Sequence, residues 1–246
     1  MGAPYIESLG EYYNIYIVYM PMKRRYKKKV RKDKKQDGRI KKLESMVYKT
    51  LENKQVNYSD VSRSITTASY QTGGFLSLSV GAEDGVNLGD PARIGNSVTL
   101  MNQKFNFNFI GSSTDTFNQM RLLIVESMDG NQALGIGDVL QYPSYALYGS
   151  LVFASPYTTK TATNRKYKIH MDKTFILSGL ATKGGVPPAK VIKHNIRWKN
   201  GKVLEYNGVG AVSPNNHRIS IIVISDSASA THPTMSYAAR ATYKDA

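Results

Sequence analysis

The chain has no cysteine among its 246 residues. That absence excludes disulfide staples, thiolate metal sites and cysteine nucleophiles, and it leaves the redox compartment open. Histidine is scarce too. His170, His194, His217 and His232 are the only four, and none has a second histidine two to four positions away, as a zinc motif needs. Long apolar runs are missing: Tyr12 to Met20 is much too short to span a bilayer, and the longest late run is Ile221 to Ile224. No membrane partner is expected. Acidic charge is in short supply, with 18 Asp and Glu against 33 Lys and Arg, a formal charge of +15. Such a balance points to a polyanionic partner and says nothing about fold. What the chain does have is apolar matter. Hydrophobic residues make up 41% and aromatics 10%, enough for a core, so wholesale disorder is excluded.

The positive charge is concentrated. Residues 23–42 read KRRYKKKVRKDKKQDGRIKK, thirteen basic residues against Asp33 and Asp37, a net +11. The basic residues are Lys23, Arg24, Arg25, Lys27, Lys28, Lys29, Arg31, Lys32, Lys34, Lys35, Arg39, Lys41 and Lys42. A block of this kind repels itself and cannot bury a core, so an extended arm is expected. Lysines and arginines near phosphates release condensed counterions, which gives strong, salt-sensitive, sequence-independent affinity. Nine lysines to four arginines suit neutralisation better than forked base reading. The same run would serve as a nuclear import signal. A solubilising tail or a patch for anionic lipid is the plainer reading of the charge.

Residues 1–22 match neither the arm nor the body. No basic residue precedes their apolar run and no small-residue cleavage site follows it, unlike a signal peptide. A start of synthesis at Met20 or Met22 is one expectation. The organisation predicted is a first segment 1–22, a basic arm with a short helix over 23–57, and a folded domain over 58–246. Ile40, Leu43, Val47 and Leu51 recur at helical spacing and predict one helix over about 40–54.

Beyond residue 60 the pattern turns to strands. Val61 to Tyr70, Phe75 to Val80, Val98 to Ile110, Met120 to Val125, Lys166 to His170, Thr174 to Leu177, Ile219 to Ile224 and Tyr237 to Tyr243 all read as β. Phe105, Phe107 and Phe109 alternate strictly, placing three rings on one core face. Val191 to Lys199 and Lys202 to Tyr206 flank Asn200-Gly201, a hairpin signal. No strand–helix alternation occurs, so a parallel doubly wound sheet is not expected. The long connections suit an all-β sandwich whose strands cross between two sheets: an eight-stranded jelly roll with a basic, disordered-to-helical N-terminal arm.

Nothing nominates an enzyme. Gly135-Ile136-Gly137 lacks the third glycine of a dinucleotide loop, and no nucleophile elbow or phosphate-loop lysine occurs. Asp129, Asp138, Glu83, Asp84 and Asp90 could ligate calcium between subunits, but they lack loop spacing and read as solvated turn carboxylates. No cofactor is expected. Tyr26 and Trp198 are interleaved with basic residues and could stack on bases. For Trp198, packing on the sheet is the competing reading.

Several segments resemble the jelly-roll capsid proteins of small circular single-stranded DNA viruses that encode a replication initiator, a capsid type similar to the satellite tobacco necrosis virus coat protein. They are Arg93-Ile94-Gly95-Asn96-Ser97-Val98; Met120 to Val125 with Met128-Asp129-Gly130-Asn131 and Asp138-Val139-Leu140; Asn164 to Ser178, with an Asp172-Lys173 turn between two strands; and Ala239 to Ala246. Glu126-Ser127 stands where the resemblance would put an aspartate. The resemblance covers residues 90–246, with the basic arm before it. It implies a homo-oligomer of sixty copies in a small icosahedral (T=1) virion. The arm would face inward on single-stranded DNA or RNA, and assembly would take place in the host nucleus. It identifies no host receptor. A cellular nucleic-acid-binding β-barrel with a basic tail is the other reading of the same residues.

Overall fold

The computed structural model describes residues 33–43, 46, 53–73, 75, 78–80, 92–93, 95–115, 117–128, 133–158, 167–178, 187–208, 211, 213–228 and 231–245. The chain divides into two units, Met1–Thr50 and Leu51–Ala246.

In the first unit, residues 33–43 and 46 are helical and exposed throughout. We number this helix α1. It begins earlier than the apolar spacing predicted. The extended conformation expected for the basic block is therefore corrected over 33–42. Asp37 precedes Lys41 by four positions on this helix, an acid-to-base spacing that supports helix. Asp33 and Asp37 dilute the repulsion enough for lysine-rich helix formers to propagate. Val47 and Leu51, which also shaped the prediction, lie outside the described residues, as do the segment 1–22 and residues 23–32.

The second unit opens with β1 (Asn53–Ser64), inside the segment that the sequence assigned to the arm and helix. There follow β2 (Tyr70–Gly73), the two-residue strands β3 (Ser79–Val80) and β4 (Ala92–Arg93), β5 (Ser97–Ile110) and β6 (Phe117–Ser127). Three single-turn helices come next: α2 (Ile136–Val139), α3 (Tyr145–Tyr148) and α4 (Leu151–Ala154). Then come β7 (Tyr167–Ser178), β8 (Ala189–Glu205), β9 (Ile219–Ser225) and β10 (Thr234–Asp245). One antiparallel sheet has the order β1-β10-β5-β8 and the other β2-β9-β6-β7, with β3 and β4 paired separately. Every connection between the eight principal strands crosses between sheets, except β6 to β7. Eight strands wound this way form a jelly-roll sandwich, as the alternation and the long connections predicted.

The sandwich is filled from both inner faces. Phe105, Phe107 and Phe109 are buried and stack along β5 at 6.0 and 6.1 Å between centroids. Phe75 meets Phe105 edge-on at 5.4 Å, and Phe175 meets Phe109 at 5.0 Å. Each ring removed from water contributes about 2–3 kcal/mol. Strands β6 and β9 are apolar on both faces because both faces are covered. Met120, Leu122 and Ile124 face the sandwich core. Leu123, Val125, Ile222 and Ile224 pack under Val139, Val152 and Phe153 of α2 and α4.

Four local predictions are corrected. Asn200-Gly201 does not turn a hairpin. Residues on both sides of it pair with β5, Arg197 with Asn102 and Lys202 with Leu100, so 198–201 form a bulge within one long strand. Gly201 supplies the positive φ, 73°, and a Cβ there would lie 2.3 Å from Thr99 Cγ2. The Asn-Gly pair thus re-aims a strand instead of reversing it. Asp172-Lys173 is not a turn either. Asp172 pairs with Leu123 and Lys173 with Leu122 in an unbroken β7, because Arg121 anchors the aspartate in mid-strand. Val61 to Tyr70 is divided: Ser64 ends β1 and Tyr70 opens β2, with the strand already irregular between Asp60 and Arg63. Of the described residues in Phe75 to Val80, Ser79–Val80 are strand and Phe75 lies in a turn.

Candidate nucleic-acid interface

Five of the thirteen predicted arm residues are described. Lys34, Lys35, Arg39, Lys41 and Lys42 lie on α1 and are exposed. At about 100° per residue they occupy roughly half the helix circumference. Asp33, Asp37 and Ile40 fall on the other half. A helix of this kind carries a band of exposed cations without needing a buried face. Ile40, Leu43 and Met46 remain 52%, 61% and 51% exposed. Lys23, Arg24, Arg25, Lys27, Lys28, Lys29, Arg31, Lys32 and Tyr26 lie outside the described residues.

Trp198 is partly buried and packs against two of the core clusters. Its ring meets His170 edge-on at 6.1 Å. It is a packing residue in the β8 bulge and not an exposed stacking platform.

Two of the histidines, His170 and His217, meet at Glu126 in a group that the sequence did not reveal. Glu126, the penultimate residue of β6, is wholly buried. His170 Nε2 from β7 lies 2.7 Å from its Oε2, and Lys202 Nζ from β8 donates to its Oε1. His217 Nδ1 lies 2.9 Å from Oε1 without the alignment of a hydrogen bond. Burial alone would push this carboxyl up. The bonds from His170 and Lys202 outweigh burial and hold it at about 2. Burial lowers His217, helped by Lys202, and lowers His194, helped by His170. The carboxylate is spent on tying β6, β7 and β8 together at one end of the sandwich. Among the described residues no group of His, Asp or Glu is placed to hold a metal ion. Of the carboxylates considered for calcium, Asp138 instead accepts from the Gly135 N–H at 3.0 Å, capping α2. Asp129, Glu83, Asp84 and Asp90 lie outside the described residues.

Two buried arginines belong to the segments that carried the resemblance. Arg93 is fully buried and donates to the carbonyls of Leu78, Gly95, Gly208 and Ala211, with its guanidinium 4.3 Å from the Tyr206 ring. Arg121 makes a two-pronged pair with Asp172 at 3.0 and 2.7 Å. It also donates to the carbonyls of Val152 and Ser155 at 2.7 and 3.0 Å. Tyr157 completes the group by donating to Asp172 at 2.8 Å. Both arginines organise loops. Neither is aimed at a ligand, and no local sequence pattern separates them from surface arginines.

No family model matches the chain, and no curated protein matches it in sequence. Among solved structures it is similar to a chain of Desmodium yellow mottle tymovirus, at 10% identity and a TM-score of 0.36, over 79% of this chain and 88% of that one.

Proposed function

We propose that this chain is a viral coat protein that assembles into a small icosahedral shell and packages single-stranded nucleic acid, circular DNA in the first instance, through residues 23–42. The observation that carries the reading is the pairing of two features: an eight-stranded jelly-roll body and a separate block with a net +11 in twenty residues. A rigid sandwich can bury its sides against copies of itself. A cationic segment can follow a flexible polyanion without a fixed fit. Sixty copies, the number the capsid resemblance implies, would bring about 660 arm charges, fewer than the phosphates of a genome of a thousand or more nucleotides. Lysines and arginines of the body, or small cations, supply the remainder. The role assigns no catalytic residue and no cofactor. It places the protein in the virion, with nuclear assembly served by the same basic run.

The test is assembly and content. Full-length protein should form particles of uniform size by electron microscopy and protect nucleic acid from nuclease. Deletion of residues 23–42 should leave the β body folded and empty the particles of nucleic acid. A monodisperse monomer at high concentration, with and without nucleic acid, would overturn the shell. Undiminished packaging by the deletion variant would overturn the arm. Monomeric binding of oligonucleotides with no particles would instead favour a cellular binding module.

A further inference from the structure

Alternation along the strands of the β1-β10-β5-β8 sheet sends one set of side chains into the core and the other to solvent. The solvent set is unusual in its charge. On β5, Lys104, Asn106 and Asn108 are exposed between the buried phenylalanines. On β8, Lys193, Asn195, Arg197 and Lys199 are exposed at every second position. On β10, Arg240 is exposed between buried Ala239 and Ala241. Register brings these residues together. Arg240 pairs with Lys104 on one side and Asn57 on the other, and Lys104 pairs with Asn195. Lys193 and Arg197 stand diagonal to Lys104, opposite Asn106 and Asn102. At about 3.3 Å per residue and 4.8 Å per strand, these four cations occupy a patch of roughly 13 by 10 Å.

No carboxylate shares the patch. The acidic residues of these strands are Asp60, bonded to Arg63 and Tyr70, and Glu205 and Asp245 at the ends of β8 and β10. Lys104, Lys193, Arg197 and Arg240 have no ion pair among the described residues. Like charges directly opposite across strands are destabilising, and Lys104 faces Arg240 in that way. Asn57 Oδ1 accepts from Arg240 Nε at 2.8 Å, which ties the exposed guanidinium to the neighbouring strand. Asparagines surround the cations, and amides of this kind donate readily to phosphate oxygens. No aromatic residue occupies an outward position on these strands, so the face has nothing on which bases would stack.

We propose that this sheet face is a second binding surface for single-stranded nucleic acid, one that grips the sugar–phosphate backbone and is indifferent to sequence. It extends the polyanion reading of the arm to the folded body and does not depend on shell formation. Charge complementarity selects the occupant: a patch that costs the fold some repulsion when empty is relieved by phosphate.

The test uses the full chain and fluorescent oligothymidylate. Each phosphate contact contributes about 0.7 to the slope of log affinity against log salt for single strands. The double variant Lys104→Gln/Arg240→Gln should therefore lower the slope by about 1.4, with its melting temperature unchanged or raised. Lys168→Gln/Lys173→Gln removes the same charge from exposed positions of β7 and should leave the slope within about 0.3 of wild type. An equal drop in both variants would mean net charge alone acts, and no drop in either would mean the face is empty; both results overturn the proposal. Anionic phosphatidylserine vesicles form a further arm. Loss of vesicle binding with the oligonucleotide slope intact would assign the face to lipid and overturn it as well. Particles seen by microscopy in the same samples report on the shell separately. Shells with an unaltered slope sink the face alone, and a lowered slope without shells sinks the shell alone.

Discussion

Glu126→Gln is the most informative single change in the body. The carboxyl is wholly buried, and its partners hold it at about 2 against an ordinary 4.5. That displacement corresponds to about 3 kcal/mol of stabilisation at neutral pH. The amide keeps the shape but strands Lys202 and His170 beside a neutral group, and removing one partner of a buried ion pair costs about 3–5 kcal/mol. With a urea dependence of about 2–3 kcal/mol per molar, the midpoint should fall by about 1–2.5 M. Trp198 is the only tryptophan and contacts His170, so its fluorescence reports on this site directly. The pH dependence follows from the signs. The folded-state values of His194 and His217 are lowered, so wild-type stability is full above about 6.5 and declines as pH falls below it. The Glu126 contribution is full above about 4.5 and is lost as pH falls toward about 2. The variant should keep the upper decline and lack the lower one. A midpoint within about 0.2 M of wild type, or an unchanged lower decline, would refute the reasoning.

Gly201→Ala should destabilise by about 2 kcal/mol or more, because the residue combines positive φ with a Cβ 2.3 Å from Thr99 Cγ2. Denaturant melts measure it, and a change under about 0.5 kcal/mol would mean the bulge relaxes freely. Arg121→Lys keeps the charge but cannot serve Asp172, Val152 and Ser155 together, and should cost about 2–3 kcal/mol. Amide exchange should quicken first over α3 and α4, and uniform quickening would contradict the anchoring role. Phe107→Ala should cost about 3–5 kcal/mol, since the ring is buried between Phe105 and Phe109. Calorimetry on soluble protein checks it.

Residues legible in the sequence were those whose pattern is local. The basic block announced itself by count, and the alternation at Phe105 to Phe109 gave both a strand and its core face. The apolar run Met120 to Val125 named a buried strand, though not what buries it. Misread features were those where one residue pair serves two geometries. Asn200-Gly201 fits a hairpin turn or a bulge equally well, and only pairing of both flanks with β5 distinguishes them. Asp172-Lys173 looked like a turn until Arg121, 51 positions away, held the aspartate in a strand.

The sequence by itself determined that the chain is a β sandwich with a cationic segment outside it, because charge density and period-two alternation act over a few residues. Tertiary structure alone decided which charges become neighbours. Glu126 gathers partners from β7, β8 and the loop before β9, and Lys104, Lys193, Arg197 and Arg240 form one acid-free patch across three strands. Register sets both, and register is a property of strands meeting across the fold, which no single segment encodes.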